Sequence, residues 1–358
     1  MKKSEDIPKV SIVHCSSYNQ KKVDKAIKTA LKFADLEIPF SKTVLIKPNI
    51  IGSFPKKQKI ATTNPSIIEA ICKILKKNKC KIIIGESSFT NTVDAFKDSG
   101  IEKIAKKYNA EILIFEQDKL KRIKNENGKI LKEFYVSRKF LEADLIINVP
   151  KLKTHLLMKY TGAIKNLYGV IPGGIKQKLH AKAPTEKKFS SLLVDIYEKI
   201  QPEINIMDGV VGMEGKGPSA GDEKKSEYIL ASSNAVALDI VCSKLIGYNP
   251  KKILYLKEVL KRKIFHGEFV LVGQEKIPNL KFKKPTIYDK LTVGLKELLN
   301  IRKSIVVDKE KCVKCGLCSR KCPQGAITLC PYPIIDKKKC IRCFCCMEIC
   351  PHHALSLK

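Results

Sequence analysis

Two stretches near the end of the chain decide its fold: CVKCGLCSRKCP at 312–323 and CIRCFCCMEICP at 340–351. Each contains four cysteines, separated by two, two and three residues, and a proline directly after the fourth cysteine. The similarity extends beyond the cysteines, because Val307, Asp308 and Ala326 recur 28 residues later as Ile335, Asp336 and Ala354. The region is therefore an internal duplication.

The cysteine spacing resembles that of bacterial-type ferredoxin modules with two clusters, in which the fourth cysteine of each run ligates the other cluster. Three thiolates two residues apart on a tight loop reach three irons of one cubane, and the fourth thiolate lies too far along the chain to join them. The pattern predicts two neighbouring [4Fe–4S] clusters, with the following ligands: Cys312, Cys315, Cys318 and Cys350 for the first, and Cys340, Cys343, Cys346 and Cys322 for the second.

Two other uses of cysteine compete with this interpretation. Zinc sites also use C-x2-C pairs, but two complete runs that each end in Cys-Pro favour clusters. Disulfides require an oxidising compartment, of which the sequence shows no sign. We choose Cys346 over the adjacent Cys345 as a ligand because only Cys346 preserves the spacing of the first run, and we expect Cys330 to pack under the clusters.

The chain of 358 residues exceeds one average domain. We expect an α/β domain at 1–302 and the cluster module at 303–358. The first ten residues, MKKSEDIPKV, lack an apolar signal segment. Since no run approaches the ~18 apolar residues of a membrane helix, we expect a cytoplasmic protein that does not enter a membrane.

The formal charge is +32, from 68 basic and 36 acidic residues. Only six of the basic residues are arginine, and the lysines are spread along the chain, so the sequence lacks the arginine clusters and interleaved aromatics of nucleic-acid readout. Nucleic-acid binding is therefore not favoured. The cluster module is itself rich in lysine, which predicts an acidic ferredoxin or flavodoxin as its electron partner.

Before the cluster module, short β-branched runs alternate with amphipathic helices. Strands are predicted at 10–14, 43–47, 81–85, 111–115, 144–149, 204–208 and 228–231, and helices near 20–34, 65–78, 92–107, 188–200, 235–246, 251–262 and 287–301. Asn125 to Gly128 predicts a hairpin turn, and 276–286 a surface connection. This alternation predicts an α/β fold with a mostly parallel, helix-covered sheet, followed by the smaller α+β ferredoxin-like module.

Polar motifs follow several of these strands: KPN at 47–49, GESS at 85–88, PKLKTH at 150–155 and DGVVGMEGKGPSAG at 208–221. In open α/β sheets, ligands bind at the carboxyl ends of the strands. If the strands are neighbours, one pocket would contain Lys47, Glu86, Lys151, Lys153, His155, Asp208 and Glu214. The Gly-rich segment 162–174 adds Lys165 and Asn166, and cations beside exposed backbone N–H groups suit a phosphate or carboxylate.

Each of these signals has a simpler alternative. In a chain this rich in lysine, a single lysine is more often a solvated surface group. The segment 208–221 fits neither the Walker A nor the Rossmann pattern. Its Asp208 and Glu214 would bind a divalent metal in the α/β domain or act as acid or base, or the segment would form a lid or a turn.

At these motifs the sequence resembles an uncharacterised family, the domain of unknown function 362, which is often fused to a two-cluster ferredoxin module. The resemblance covers nearly the whole chain and is carried by KPN, GESS, PKLKTH, IKN at 164–166, and DGVVGMEGKGP at 208–218. It implies that these positions, including Asn49 and Ser87, form a shared site and that the clusters serve electron transfer.

The leading hypothesis is an iron–sulfur redox enzyme that passes electrons to a small anionic metabolite. Lys151, Lys153 and Lys165 would bind the anion, His155 would donate a proton, and Asp208 or Glu214 would assist. Two alternatives stay open: an electron-transfer subunit that docks a separate enzyme, and a non-redox enzyme whose clusters are structural or regulatory.

Overall fold

The structure is a computed structural model that describes residues 7–53, 60–285 and 304–357. Its strands are β1 Lys9–His14, β2 Thr43–Pro48, β3 Lys81–Glu86, β4 Glu111–Ile114, β5 Leu120–Lys124, β6 Glu133–Ser137, β7 Leu145–Val149, β8 Lys151–His155, β9 Lys159–Thr161, β10 Ile204–Glu214, β11 Asp222–Ser232, β12 Val270–Val272, β13 Ile305–Val307, β14 Ile327–Leu329, β15 Pro333–Ile335 and β16 Leu355–Leu357. Its α-helices are α1 Gln20–Phe33, α2 Pro65–Lys77, α3 Thr92–Ser99, α4 Ile101–Lys107, α5 Arg138–Glu142, α6 Ala163–Asn166, α7 Gly173–Lys182, α8 Glu186–Lys199, α9 Ala235–Leu245, α10 Leu254–Lys261, α11 Leu317–Arg320 and α12 Cys345–Ile349.

One sheet organises the first 285 residues, with the strand order β12–β1–β11–β10–β7–β2–β3–β4 and with β8 and β9 joined beside β10. Strands β10, β7, β2, β3 and β4 run parallel, while β11 is antiparallel to both of its neighbours. The predicted mostly parallel sheet is confirmed. The four strands that carry the polar motifs are neighbours, so their carboxyl ends meet at one edge.

Successive strand residues alternate between two buried apolar layers, as the pleat of a strand requires. Leu45 and Ile83 belong to the layer that α8, α9 and α10 cover. Val44 and Ile46 belong to the opposite layer, under α1, α2 and α4. The sheet is therefore covered on both faces, which explains why its strands are nearly continuous apolar runs.

Several predicted elements differ in extent from those in the structure. The helix predicted at 92–107 is divided into α3 and α4 by Gly100. Gly100 has a left-handed φ of 79°, which ends α3, and α4 begins at the next residue. The segment 208–221, predicted as a lid or turn, is strand as far as Glu214, because Val210 and Met213 are buried in the sheet. The predicted surface connection buries Phe282 against Gly212, and the helix predicted at 287–301 lies outside the described residues.

The cluster module repeats its backbone at the 28-residue interval. Strand β13 pairs with β16, and β14 pairs with β15. Left-handed backbone conformations recur in three matched pairs: Lys314 with Arg342, Gly316 with Phe344, and Gly325 with His353. The duplication in sequence is thus also a duplication in structure.

Candidate functional site

A cavity of about 80 Å³ lies at the carboxyl ends of the parallel strands. It is lined by Asn49, Ile50, Ile51, Glu86, Ser87, Phe89, Lys153, Thr161, Lys165, Asn166, Tyr168, Gly169, Lys176, His180, Pro218 and Glu348. Six of these were predicted from the motifs: Asn49, Glu86, Ser87, Lys153, Lys165 and Asn166. The other predicted pocket residues of the α/β domain lie outside this lining.

Short α6 carries Lys165 and Asn166 into the cavity, and Asp239 of α9 fixes its start. The Asp239 carboxylate accepts hydrogen bonds from the backbone N–H of Ala163 at 2.6 Å and of Ile164 at 3.1 Å. The Asn166 amide donates to Asn148 Oδ1 at 2.8 Å, which ties α6 to β7. The sheet and α9 together hold the two side chains in place.

Three lysines of the cavity lie close to one another, and two carboxylates of the lining, Glu86 and Glu348, partly offset their charge. Lys153 is 1% exposed, and its Nζ donates to the Ala61 carbonyl oxygen at 2.8 Å. Burial, together with the positive charges of Lys165 and Lys151, holds the pKa of Lys153 well below its usual value. Burial also lowers the pKa of Lys165, and it lowers that of Lys176 to about 8.

Lys165 differs from Lys153 and Lys176 because its ammonium group donates no hydrogen bond within the described residues. The nearby Glu348 carboxylate is the charge that opposes the effect of burial on the pKa of Lys165. Two hydroxyl groups of the cavity lining, Ser87 Oγ and Thr161 Oγ1, are likewise buried without a hydrogen-bond partner in that part of the chain. Buried polar groups are nearly always paired. Two unpaired buried hydroxyls beside a half-buried lysine that donates no hydrogen bond in the described residues therefore match the needs of a small anion.

Glu86 forms the negatively charged wall of the cavity. Its Oε2 accepts a hydrogen bond from Lys47 Nζ at 2.8 Å, and its Oε1 accepts one from the Ser87 N–H at 2.9 Å. A Cβ atom at Gly169 would lie 2.3 Å from Glu86 Oε1 and 2.4 Å from Lys47 Nζ. Lys47 is fully buried behind this wall, and Gly169 is needed for the close approach.

Lys151 and Asp208 form a separate, closed network. Lys151 Nζ lies 2.9 Å from Asp208 Oδ2 and 2.6 Å from the Tyr18 hydroxyl oxygen. Asp208 also accepts hydrogen bonds from the Tyr18 hydroxyl at 2.7 Å and from the Asn64 N–H at 2.8 Å. The charges of this network are fully engaged with one another.

His155 and Glu214 also lie outside the cavity lining. His155 Nδ1 accepts from the backbone N–H of Leu157 and Met158, at 3.1 and 3.2 Å, so a neutral ring carries its proton on Nε2. Nε2 lies 3.3 Å from Glu348 Oε1, without hydrogen-bond alignment. Glu214 accepts from the Lys283 N–H at 2.9 Å.

The cysteines of the module line two small cavities. Cys312, Cys315, Cys318 and Cys350 surround the first, and Cys322, Cys340, Cys343 and Cys346 surround the second. The N–H groups of Ala326 and Ala354 donate to the sulfurs of Cys322 and Cys350, at 3.2 and 3.3 Å. Two rings of four thiols that receive backbone hydrogen bonds fit two [4Fe–4S] clusters. Cys345 is buried beside the second ring, and Cys330 is exposed rather than packed under the clusters.

A single metal ion has less support in the α/β domain. Across residues 7–53, 60–285 and 304–357, no three His, Cys, Asp or Glu side chains are grouped closely enough to hold one ion. Asp208 and Glu214 are engaged by the groups named above. In the same ranges, no helix is long and apolar enough to cross a membrane.

Sequence reasoning missed several residues of the cavity, among them Lys176, His180, Tyr168, Thr161 and Glu348. Lys176 and His180 lie three and seven residues into α7, on the helix face that packs toward the cavity, and Lys176 donates to the Ser87 carbonyl. The Gly-rich segment before them was the available signal. Glu348 comes from α12 of the cluster module, and only the folded structure brings it to this sheet edge.

The family model described as "Domain of unknown function (DUF362)" matches residues 44–244, more than half of the chain, and the chain belongs to this family. The model for a 4Fe-4S binding domain matches residues 305–328, which include the first cysteine run. The cavity residues of the α/β domain all lie within the first match. The chain is thus a member of this family joined to a 4Fe–4S domain.

Among curated proteins, the chain is similar to a thylakoid-associated protein of Synechocystis. The two are 27% identical over 253 residues, which cover 69% of this chain and 77% of the relative. Among solved structures, the lactate racemase apoprotein from Thermoanaerobacterium thermosaccharolyticum aligns with a TM-score of 0.41 and 15% identity. That alignment covers 68% of this chain and 57% of the racemase chain.

Proposed function

We propose that the protein is an iron–sulfur oxidoreductase that exchanges electrons with a small carboxylate- or phosphate-bearing metabolite bound in the cavity. One observation carries the proposal: the wall of an anion-sized, cation-lined cavity includes Glu348, which lies between the cluster ligands Cys346 and Cys350. The molecule held in the cavity would therefore lie next to the cluster module.

The two rings of cysteines support two [4Fe–4S] clusters with the crossed ligands predicted from the spacing. Such clusters supply one-electron transfer when bound. Cys343 of the second ring lies near the cavity, because its charge and that of Glu348 act on the lining residue Tyr168.

The cavity residues divide into groups that bind the anion and groups that orient it. Lys165 and Lys153 provide positive charge, and the hydroxyls of Ser87 and Thr161 provide hydrogen bonds. Lys153 has a second role as proton donor to the reduced product, because its lowered pKa makes its ammonium a stronger acid than that of an exposed lysine. His155 supports the wall through its contact with Glu348.

The experiment begins with anaerobic reduction of the purified protein, removal of the reductant and addition of fractionated small-molecule extract. Cluster reoxidation is followed by absorbance and EPR. We expect one fraction to reoxidise the wild type and to lose this ability with Lys165→Met and with Lys153→Met, while cluster content stays normal. Lys178→Met changes an exposed lysine of α7 that is not part of the cavity lining, and it serves as the matched control.

If no fraction reoxidises the clusters but an electron-carrier protein does, the proposal fails. The second candidate, an electron-transfer subunit that docks a separate enzyme, then takes its place. The exposure of Cys315 in the first run favours this candidate, because it leaves one side of the module open to a protein. In both cases we propose an acidic electron carrier as a partner, and the cytoplasmic location stays a prediction.

A further inference from the structure

The two halves of the cluster module share one backbone but differ in exposure. In the first half, Val313 is 57% exposed and Cys315 is exposed. Their counterparts 28 residues later, Ile341 and Cys343, are half-buried and 9% exposed, respectively. One half is thus covered by the rest of the chain, and the other faces solvent.

The covered half is also where the duplication breaks down in sequence. Four positions of α11 and its start change character in α12: Gly316, Leu317, Ser319 and Arg320 become Phe344, Cys345, Met347 and Glu348. Phe344, Met347 and Glu348 line an interface cavity of about 500 Å³ against the segment 216–220 of the α/β domain. Three of the four altered side chains therefore lie at the interface with the α/β domain.

Phe344 shows that this contact has a conformational cost. The backbone of Phe344 lies in the left-handed region, with a φ of 62°. Its counterpart Gly316 has a φ of 72°, which glycine adopts easily because it lacks a side chain. A left-handed conformation is unfavourable for a non-glycine residue because its Cβ atom approaches the following carbonyl oxygen. A bulky residue at such a position indicates that its side chain contributes more through packing at the interface than its backbone loses.

The open half presents cations and apolar side chains around Cys315. The Nζ atoms of Lys309 and Lys314 lie 5.6 and 4.8 Å from the centre of the Tyr332 ring. On the other side, Leu329 and Arg320 both lie against Gly316, the residue after Cys315. We call this surface, formed by Lys309, Val313, Lys314, Cys315, Arg320, Leu329 and Tyr332, the Cys315 patch.

We propose that the Cys315 patch is the docking surface for an electron-carrier protein whose redox group is surrounded by acidic residues. Exposed Val313 and Leu329 provide an apolar centre, and Lys309, Lys314 and Arg320 provide a cationic rim that complements an acidic partner. Electrons then enter through the open half and reach the cavity through the covered half. This route rests on the proposed function, whereas the docking surface does not.

The docking surface is tested by binding, without any substrate. The probe is an acidic plant-type ferredoxin, titrated against the protein with its clusters intact at low ionic strength. We expect Lys314→Glu/Arg320→Glu to raise the Kd about tenfold or more, since rim charges steer and stabilise such encounters. Added salt should weaken wild-type binding and leave the variant nearly unchanged.

The duplication supplies a matched control. Lys337→Glu/Lys338→Glu reverses the same number of charges at exposed positions of the second half and gives the same net charge. At about 0.1 M ionic strength, where charges more than ~10 Å apart are largely screened, we expect it to change the Kd less than about twofold. Equal weakening by both variants, or stronger weakening by the control, would overturn the proposal. If the first variant loses its cluster absorbance, Lys314→Gln/Arg320→Gln replaces it.

A second measurement separates this inference from the proposed function. The rate at which the reduced carrier transfers electrons to the protein should fall with Lys314→Glu/Arg320→Glu and stay normal with Lys165→Met. Reoxidation by the active metabolite fraction should show the opposite pattern. An error in the proposed docking surface therefore appears in the rate of electron transfer from the carrier. An error in the proposed anion site appears in the reoxidation by the metabolite fraction.

Discussion

Two groups of lysines lie at the same edge of the sheet, and they differ in how their charges are compensated. The Lys151 ammonium donates hydrogen bonds to Asp208 and Tyr18. The Asp208 carboxylate also accepts hydrogen bonds from the Tyr18 hydroxyl and the Asn64 N–H. Within the described residues, Lys165 donates no hydrogen bond and Lys153 donates only to a backbone carbonyl oxygen. The two lysines share Glu348 as a nearby negative charge.

The difference distinguishes Lys151, which stabilises the fold, from Lys153 and Lys165, which are available to bind a ligand. Removing a charge from water costs several kcal/mol unless other groups compensate it. The Lys151 network achieves this compensation within the protein, so it needs no ligand and fixes β8 against β10. The cluster of Lys153 and Lys165 remains undercompensated, and a bound anion would complete it.

The largest effect is expected from breaking the closed network. Asp208→Asn leaves the Lys151 ammonium buried beside a neutral amide and should lower the free energy of unfolding by about 3–5 kcal/mol. Urea unfolding of the cluster-loaded protein, followed by circular dichroism, measures the change.

The matched control removes both charges. Lys151→Met/Asp208→Asn should recover a large part of the loss, because no uncompensated charge remains. If Asp208→Asn unfolds normally but binds anions poorly, Asp208 belongs to the site and the distinction between the two groups is wrong.

The next-largest loss of stability is expected from displacing the buried Lys47–Glu86 ion pair, which forms one wall of the cavity. Gly169→Ala places a Cβ within 2.4 Å of both Glu86 Oε1 and Lys47 Nζ. The ion pair must then move, at a cost of about 1–3 kcal/mol. Gly174→Ala meets nothing within 4 Å and should be nearly neutral in the same unfolding measurement. Equal stability of the two variants would show that the ion pair tolerates displacement.

Periodicity and spacing predict much of this fold from sequence. The parallel strands are nearly continuous apolar runs, and the cysteine spacing predicts the two rings that the folded module forms. The extent of β10 was not predicted, because Gly209, Gly212 and Asp208 are typical of loops. Their tertiary pairing with β11 overrides that preference.

The site was predicted less completely for a related reason. A motif places a lysine at a strand end but does not show which lysine has a carboxylate partner. Lys151 and Lys153 are two residues apart and indistinguishable in sequence, yet only Lys151 meets Asp208. Glu348 comes from another domain, nearly two hundred residues away along the chain, and no local pattern indicates its position.

Substitution of Lys165, in the undercompensated pair of Lys153 and Lys165, should have a smaller effect on the free energy of unfolding and a clear effect on anion binding. Lys165→Met removes a half-buried cation that donates no hydrogen bond within the described residues. The free energy of unfolding should therefore change by less than about 1 kcal/mol. Affinity for small anions should fall about tenfold, the loss expected for a charge-assisted hydrogen bond. Calorimetric titration with pyruvate and with inorganic phosphate measures it, and Lys178→Met is the control. Unchanged affinity for both probes would remove Lys165 from the site.

The smallest effect is a pH dependence that Lys176 should impose on the cavity. Its pKa of about 8 results first from burial, with Lys47 and Lys165 lowering it further and Glu86 and Glu116 opposing them. The ammonium is therefore charged below about pH 8 and neutral above it. Since an anion binds the charged form more tightly, affinity for phosphate or pyruvate should fall severalfold as the pH rises from about 7 to about 9.5. Lys176→Gln should flatten this part of the profile, whereas Lys178→Gln should keep it. A profile that stays unchanged in Lys176→Gln would contradict this prediction and show that Lys176 does not set the pH dependence.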